Sequence, residues 1–123
     1  MKMKVKIWIE DNNNNLVFGD GKNEIINCID KTGSIEEVSK QLNMPEDKVF
    51  RHLQILEDNN QEEMVLCIKG LKKNSKPSYV LTANAREILQ TYQIYQYDVR
   101  KFAKKKFEEL EKEFLMLNSN KTN

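Results

Sequence analysis

From Lys4 to Glu10 the chain alternates, with Val5, Ile7 and Ile9 set against Lys4, Lys6 and Trp8, and a period of two predicts a strand with one apolar face. Asn12–Asn15 is a polar turn. Asparagine tolerates the left-handed backbone of tight hairpins, so Leu16-Val17-Phe18 is predicted to return as a second short strand. After Gly19-Asp20-Gly21 the period changes: Ile25, Ile26 and Ile29 mark the inner face of a helix over about 21–31, which Gly33 ends. Ser34-Ile35-Glu36-Glu37 has the form of a capping box, with Ser34 as N-cap. It opens a second helix, 35–42, with Ile35, Val38 and Leu42 inward. Asn43-Met44-Pro45 makes a short turn, and Pro45 suits the start of a third helix because the first helical N–H has no intrahelical partner. That helix, about 46–58, is predicted to bury Val49, Leu53 and Leu56.

Two short helices, a tight turn and a longer helix have helix-turn-helix spacing. Glu63 to Lys69 then reads as a strand, residues 70–77 as a turn and Ser78 to Leu81 as its return, a hairpin in the place of a wing. Thr82 caps a last helix predicted to run to about Asn118. Its apolar positions Ile88, Tyr92, Tyr95, Val99, Phe102/Ala103, Phe107, Leu110, Phe114 and Leu117 recur every 3.6 residues or so, which keeps one stripe on a nearly straight helix. At 1.5 Å per residue such a helix reaches about 50 Å and needs a partner for its apolar face. A second copy of the chain is the simplest supply, and folding back over its own domain is the other. The fold expected is mainly α with small β: a winged helix-turn-helix over 1–82 (N-terminal hairpin 3–18, helix-turn-helix about 34–58, wing about 63–81), a dimerisation helix over 83–118, and a disordered tail at 119–123.

A length of 123 residues suits one domain with a helical extension. The net charge of +1 says little, but its distribution says more. Residues 1–65 hold 8 Lys/Arg against 13 Asp/Glu, residues 66–106 hold 10 against 2, and residues 107–123 hold 2 against 4. A basic block between acidic flanks is the footprint of a localised anion-binding surface, or else of a solvated helix face. Cys28 and Cys67 each lie in an apolar run and are expected as reduced core residues. The charged start and the lack of any long apolar stretch predict a soluble, cytoplasmic protein without a membrane partner. One histidine, no metal-ligand spacing and no Gly-rich phosphate loop argue against an enzyme and against any cofactor; Gly19-Asp20-Gly21 lacks the third glycine of a dinucleotide site.

The stretch from Gly19 to Asp58 resembles the amino-terminal winged-helix domain of ModE-type regulators, the molybdate-responsive transcription factors. The matching features are Gly19-x-Gly21, Ile25-Ile26-x-x-Ile29, Gly33-Ser34-Ile35, Phe50 within the third helix, and Val80-Leu81-Thr82 before the long helix. With the preceding strand pair and the tyrosine-rich helix, the resemblance covers nearly the whole chain. It implies a homodimer that binds double-stranded DNA through a LysR-like helix-turn-helix. The wing departs from the family by carrying lysine where glycine is usual, and the chain stops where the oxyanion-binding domains would begin. No small-molecule effector is therefore evident.

The third helix leads with Glu46 and Asp47. Two readings stand: they favour the helix dipole, or one accepts from cytosine N4 in the major groove. Neither supplies affinity, so the cations must. Lys48, Arg51 and His52 lie off the buried stripe, with Arg51 assigned to a base or phosphate, Lys48 to phosphate, His52 either to one of these or to a satisfied surface position, and Gln54 to adenine. Pro45 places the helix start, Lys40 adds a phosphate contact, and Lys69, Lys72, Lys73 and Lys76, with no acid among them, grip the backbone from the wing. The cluster Arg100, Lys101 and Lys104–Lys106 is a second basic face, solvated or touching DNA. Dimerisation falls to Trp8, a large ring on the polar face of its strand, and to Ile88, Tyr92, Tyr95, Val99, Phe102, Phe107, Leu110 and Phe114. The competing expectation is a protein-interaction module of the same fold that has lost DNA binding, which the acidic helix start favours.

Overall fold

A computed structural model describes residues 1–70 and 72–121, without the side chains of Asn120 and Lys121. The elements are β1 (Trp8–Glu10), β2 (Leu16–Gly19), α1 (Asp20–Thr32), α2 (Ile35–Leu42), α3 (Glu46–Asn60), β3 (Val65–Ile68), β4 (Ser78–Leu81) and α4 (Ala83–Lys121), a mixed α+β fold. The strands form two separate antiparallel hairpins, β1 with β2 and β3 with β4. One compact unit spans Ile7–Tyr92, and a second joins Met1–Lys6 to the chain from Gln93 onward.

The first hairpin is shorter than its alternation predicts. Trp8 pairs with Gly19 and Ile9 with Phe18, after which the chain leaves the sheet as α1, so Lys4–Lys6 meet no strand. Asp20 closes the ladder: its N–H donates to Ile7 O at 3.0 Å and its Oδ2 accepts from Ile7 N–H at 3.1 Å. Gly19 passes so near β1 that a Cβ would lie 2.9 Å from Trp8 Cβ, which only glycine avoids. At the turn Asn14 is left-handed (φ 68), and Asp11 Oδ1 accepts from Asn13 N–H at 2.8 Å and Asn15 N–H at 3.0 Å. The backbone bonds from Asn15 and then Asn13 hold the Asp11 carboxyl below the usual carboxylate range.

The core of the Ile7–Tyr92 unit is built from the inward faces the periodicity marks. Ile26, Ile29, Val38, Val49, Leu56 and Met64 are the most completely buried. Fully burying such a side chain contributes about 1.5–3 kcal/mol. Ser34 Oγ accepts from Glu37 N–H at 3.1 Å, but the box closes on one side only, because Ser34 N–H donates to Thr32 Oγ1 at 3.3 Å. Leu42 is half-buried at the core margin. α3 runs on to Asn60, where Asn59 and Asn60 donate from Nδ2 to Leu16 O (2.7 Å) and Val17 O (2.8 Å) and tie the helix end to β2. Cys28 is buried as expected. Cys67 is exposed, because its two-stranded sheet has too little covering it to make a core position there.

Thr82 Oγ1 accepts from Ala85 N–H at 3.1 Å and donates to Glu63 O at 2.8 Å, so the expected cap also ties α4 to the approach to β3. The units divide after Tyr92, not at Thr82, because Ala85, Leu89 and Tyr92 belong to the core. Tyr92 lies edge-on to Phe18 (4.9 Å between centroids) and donates its hydroxyl to Asp20 Oδ1 at 2.5 Å and Ile7 O at 3.2 Å. At its far end α4 continues through Lys121, past the predicted stop at Asn118; Thr122 and Asn123, the rest of the expected tail, lie outside the described residues.

Candidate nucleic-acid interface

Asn43, left-handed with φ 50, ends α2 and accounts for the tightness of the turn. Ser39 Oγ donates to Met44 O at 2.5 Å and Ser39 O accepts Met44 N–H at 3.1 Å, which fixes the approach to α3. Pro45 is the N-cap of α3 and offers no side-chain bond to the open N–H groups, so Glu46 and Asp47, both exposed in the first turn, face the positive end of the helix dipole. Val49, Leu53 and Leu56 are buried as expected, which leaves Lys48 and Arg51 exposed and His52 half-buried on the flank.

The second hairpin is held against this end of α3. Phe50 meets the Tyr79 ring edge-on at 6.1 Å, and Tyr79 N–H donates to Gly33 O at 2.9 Å. Gly33 is left-handed (φ 65) and accepts both duties, closing α1 through a bond from its N–H to Ile29 O at 2.8 Å while presenting its carbonyl to β4. The start of α2, the start of α3 and the entry to β4 therefore converge.

The convergence gives two of the expected phosphate contacts partners within the chain. Hairpin residue Lys76 is paired through Nζ with Glu36 Oε2, from the first turn of α2. Lys40, expected on phosphate, lies 3.5 Å from Glu36 and 4.0 Å from Glu37. The hydrogen bond and charge of Lys76, then Lys40, hold the Glu36 carboxyl below its usual range, and Glu36 in turn raises the Lys76 ammonium. Spacing along the hairpin could not reveal an acid 40 positions away. Lys69, Lys72 and Lys73 are exposed and, like Lys48 and Arg51, make no ion pair among the described residues. Leu71, between them, is not among those residues.

His52 is likewise engaged: its Nδ1 is in hydrogen-bond contact with Nζ of Lys22, a lysine only 6% exposed in the first turn of α1. Nothing in the sequence near Gly21 marked Lys22 for burial. Gln54, expected on adenine, is exposed and donates from Nε2 to Asp58 Oδ1 at 2.9 Å. It lines a shallow acidic depression with Glu57, Asp58, Gln61, Glu62 and Glu63 at the far end of α3. Behind Glu46 and Asp47, α3 thus carries the cations Lys48 and Arg51 in its first half and carboxylates near its end.

Of the residues assigned to dimerisation, Tyr92 is buried and Ile88 packs at the core margin, both already covered within the first unit. Trp8 is 59% exposed, its indole N–H donating to Glu10 Oε1 at 3.2 Å. In the second unit Val99 and Phe107 are half-buried while Tyr95, Phe102, Leu110 and Phe114 are exposed, and the Met1 amino group lies 3.7 Å from Glu111. Gln93, Gln96, Tyr97, Arg100, Lys101 and Lys104 line a groove on this part of α4, with Lys101 Nζ 5.9 Å from the Tyr97 ring centre. Lys106 is 3.4 Å from Glu109.

Among the described residues no group of three or more His, Cys, Asp or Glu could hold a metal ion, and no helix is long and apolar enough to cross a membrane. Compared with known protein families and with curated proteins, the chain matches none.

Proposed function

We propose that the chain is a dimeric, sequence-specific DNA-binding transcription regulator of winged helix-turn-helix build, related in design to the ModE-type regulators it resembles. α2 and α3 are the helix-turn-helix, α3 enters the major groove, and the second hairpin is the wing on the phosphate backbone. The observation that carries this reading is the set of exposed cations that make no ion pair among the described residues, Lys48 and Arg51 on α3 and Lys69, Lys72 and Lys73 on the hairpin whose Tyr79 ring packs against Phe50 of α3. The carboxylates at the other end of α3 favour a pose led by its first turns. There Arg51 pairs with a guanine edge or a phosphate, and Glu46 or Asp47 with cytosine N4. The exposed apolar residues of α4, Tyr95, Phe102, Leu110 and Phe114 among them, supply the dimer contact, with Trp8 as a second one.

Duplex binding measured against salt tests the reading. Three phosphates neutralised per subunit give a slope of log K on log salt near −0.9 per phosphate, about −5 for a dimer. A flat dependence, or no preference among fragments selected from random duplexes, rejects it. A protein-interaction module is favoured by one observation, the exposed apolar side chains Leu66 and Ile68 on β3. Under that reading purified chain captures a stoichiometric protein partner and shows no salt-dependent duplex binding.

A further inference from the structure

Lys22 is the most deeply buried cation of the first unit, 6% exposed, and its ammonium meets no carboxylate among the described residues. It meets the Nδ1 of His52 instead. A lysine ammonium has only protons to offer, so the ring nitrogen facing it must present its lone pair. A neutral imidazole with Nδ1 as acceptor carries its one proton on Nε2. We propose that Lys22 is a positioning residue which holds His52 as a neutral, Nε2-protonated donor on the flank of α3. Resting on the DNA-binding reading above, this assigns His52 to an acceptor on the duplex, a guanine edge or a phosphate oxygen, and excludes it from the amino donors of cytosine and adenine.

The surroundings act in the same direction. Burial first, then the charges of Lys22 on α1 and of Lys48 and Arg51 on α3 itself, push the imidazole below its usual range, and no acid opposes them. Burial likewise lowers the Lys22 ammonium, which still starts from a value far above neutral. An imidazolium beside these three cations is disfavoured, so the helix keeps one fixed N–H where a free histidine would switch among three protonation states. The arrangement separates affinity from specificity: His52 adds a direction, and Lys48 and Arg51 add the charge.

His52 is the only histidine in the chain, so its ring nitrogens can be read without assignment ambiguity by long-range proton–nitrogen correlation NMR of the full chain free of DNA. The expected result is a single neutral tautomer protonated at Nε2, titrating below 6.5, with Lys22→Met giving mixed tautomers and a midpoint moved up toward 6.5. A wild-type ring protonated at Nδ1, or one with mixed tautomers and an ordinary midpoint, overturns the proposal, and needs no variant to fold. The second arm is duplex binding by His52→Gln, whose amide N–H stands near the place of Nε2–H, and by His52→Ala. Binding retained by Gln and weakened about tenfold or more by Ala supports the donor role; an equal loss on every sequence marks a phosphate, a loss confined to the preferred site a guanine edge. Equal binding by wild type and both variants overturns the DNA assignment while the NMR result still judges the Lys22 contact, so the two failures are distinguishable.

Discussion

Replacing Glu36 with glutamine should make the protein bind DNA more steeply with salt, and the structure sets how much. Glu36 is the carboxylate that Lys76 pairs with, and Lys40 lies 3.5 Å from it. A lysine already neutralised by its own protein releases no net counterion when it approaches a phosphate. In Glu36→Gln, Lys40 keeps Glu37 at 4.0 Å, so one cation per subunit, Lys76, is released. Two additional phosphates neutralised per dimer steepen the slope of log K on log salt by about 1.8. Between 50 and 200 mM salt that is roughly a tenfold larger loss of affinity for the variant than for wild type, from a tighter start at low salt. Fluorescence anisotropy of a labelled duplex over this range reads it directly. Acid should mimic the substitution: Glu36, held below 4.5, contributes stability above that value and loses it as pH falls through its lowered folded-state value, releasing Lys76. Lys76, raised above 10.5, contributes below that value and loses it as pH climbs through its raised one. An unchanged or shallower slope in Glu36→Gln would falsify the idea that this acid competes with phosphate for the hairpin.

The other predictions divide the surface from the core. Lys72→Ala with Lys73→Ala should weaken every duplex alike and flatten the salt slope by about 0.9 for each phosphate no longer neutralised; an effect confined to one sequence would assign these lysines to bases instead. Arg51→Ala, if the side chain meets a guanine, should cost about 1–3 kcal/mol on the preferred site and little elsewhere, as read by competition with random duplex. Tyr92→Phe removes a buried hydroxyl that donates to Asp20 Oδ1, and a bond to a charged group contributes about 1.5–3 kcal/mol, so thermal unfolding should shift down while sedimentation shows unchanged self-association. Phe114→Lys, at a 43% exposed position, should do the reverse, and equal effects of both on assembly would mean that α4 is not the dimer contact.

Much of the fold was legible because it is locally coded. The αβ order, the N-caps at Ser34 and Thr82, the left-handed Asn14 and Gly33, and the buried triplet Val49, Leu53 and Leu56 all follow from periods and side chains within a few positions of one another. What was not legible depends on distant partners. The alternation from Lys4 onward was real, but a strand needs a neighbour, and β2 ends opposite Trp8. The partners around the candidate site are of this kind: Lys76, expected on phosphate, and His52, expected on DNA or at a satisfied surface position, each meet a residue at least 30 positions away, Glu36 and Lys22. Nothing in the spacing of charges says which will be neutralised in the fold.

The stripe on α4 makes the same point about apolar residues. A period of 3.6 says that a face will be covered, not by what. Over Ala85, Leu89 and Tyr92 the cover is the chain's own core; Leu110, Phe114 and Leu117, in register with them, remain 46%, 43% and 56% exposed. A chain in water rarely leaves such a row open, since each side chain would gain by burial. The same sequence pattern therefore serves folding in its first turns and, under the proposed dimeric reading, association in its last ones. If the chain pairs as proposed, the contact falls to the exposed row Leu110, Phe114 and Leu117 and not to the covered residues Ala85, Leu89 and Tyr92. Self-association and half-site spacing should then respond to residues beyond Gln93, and stability to those before it.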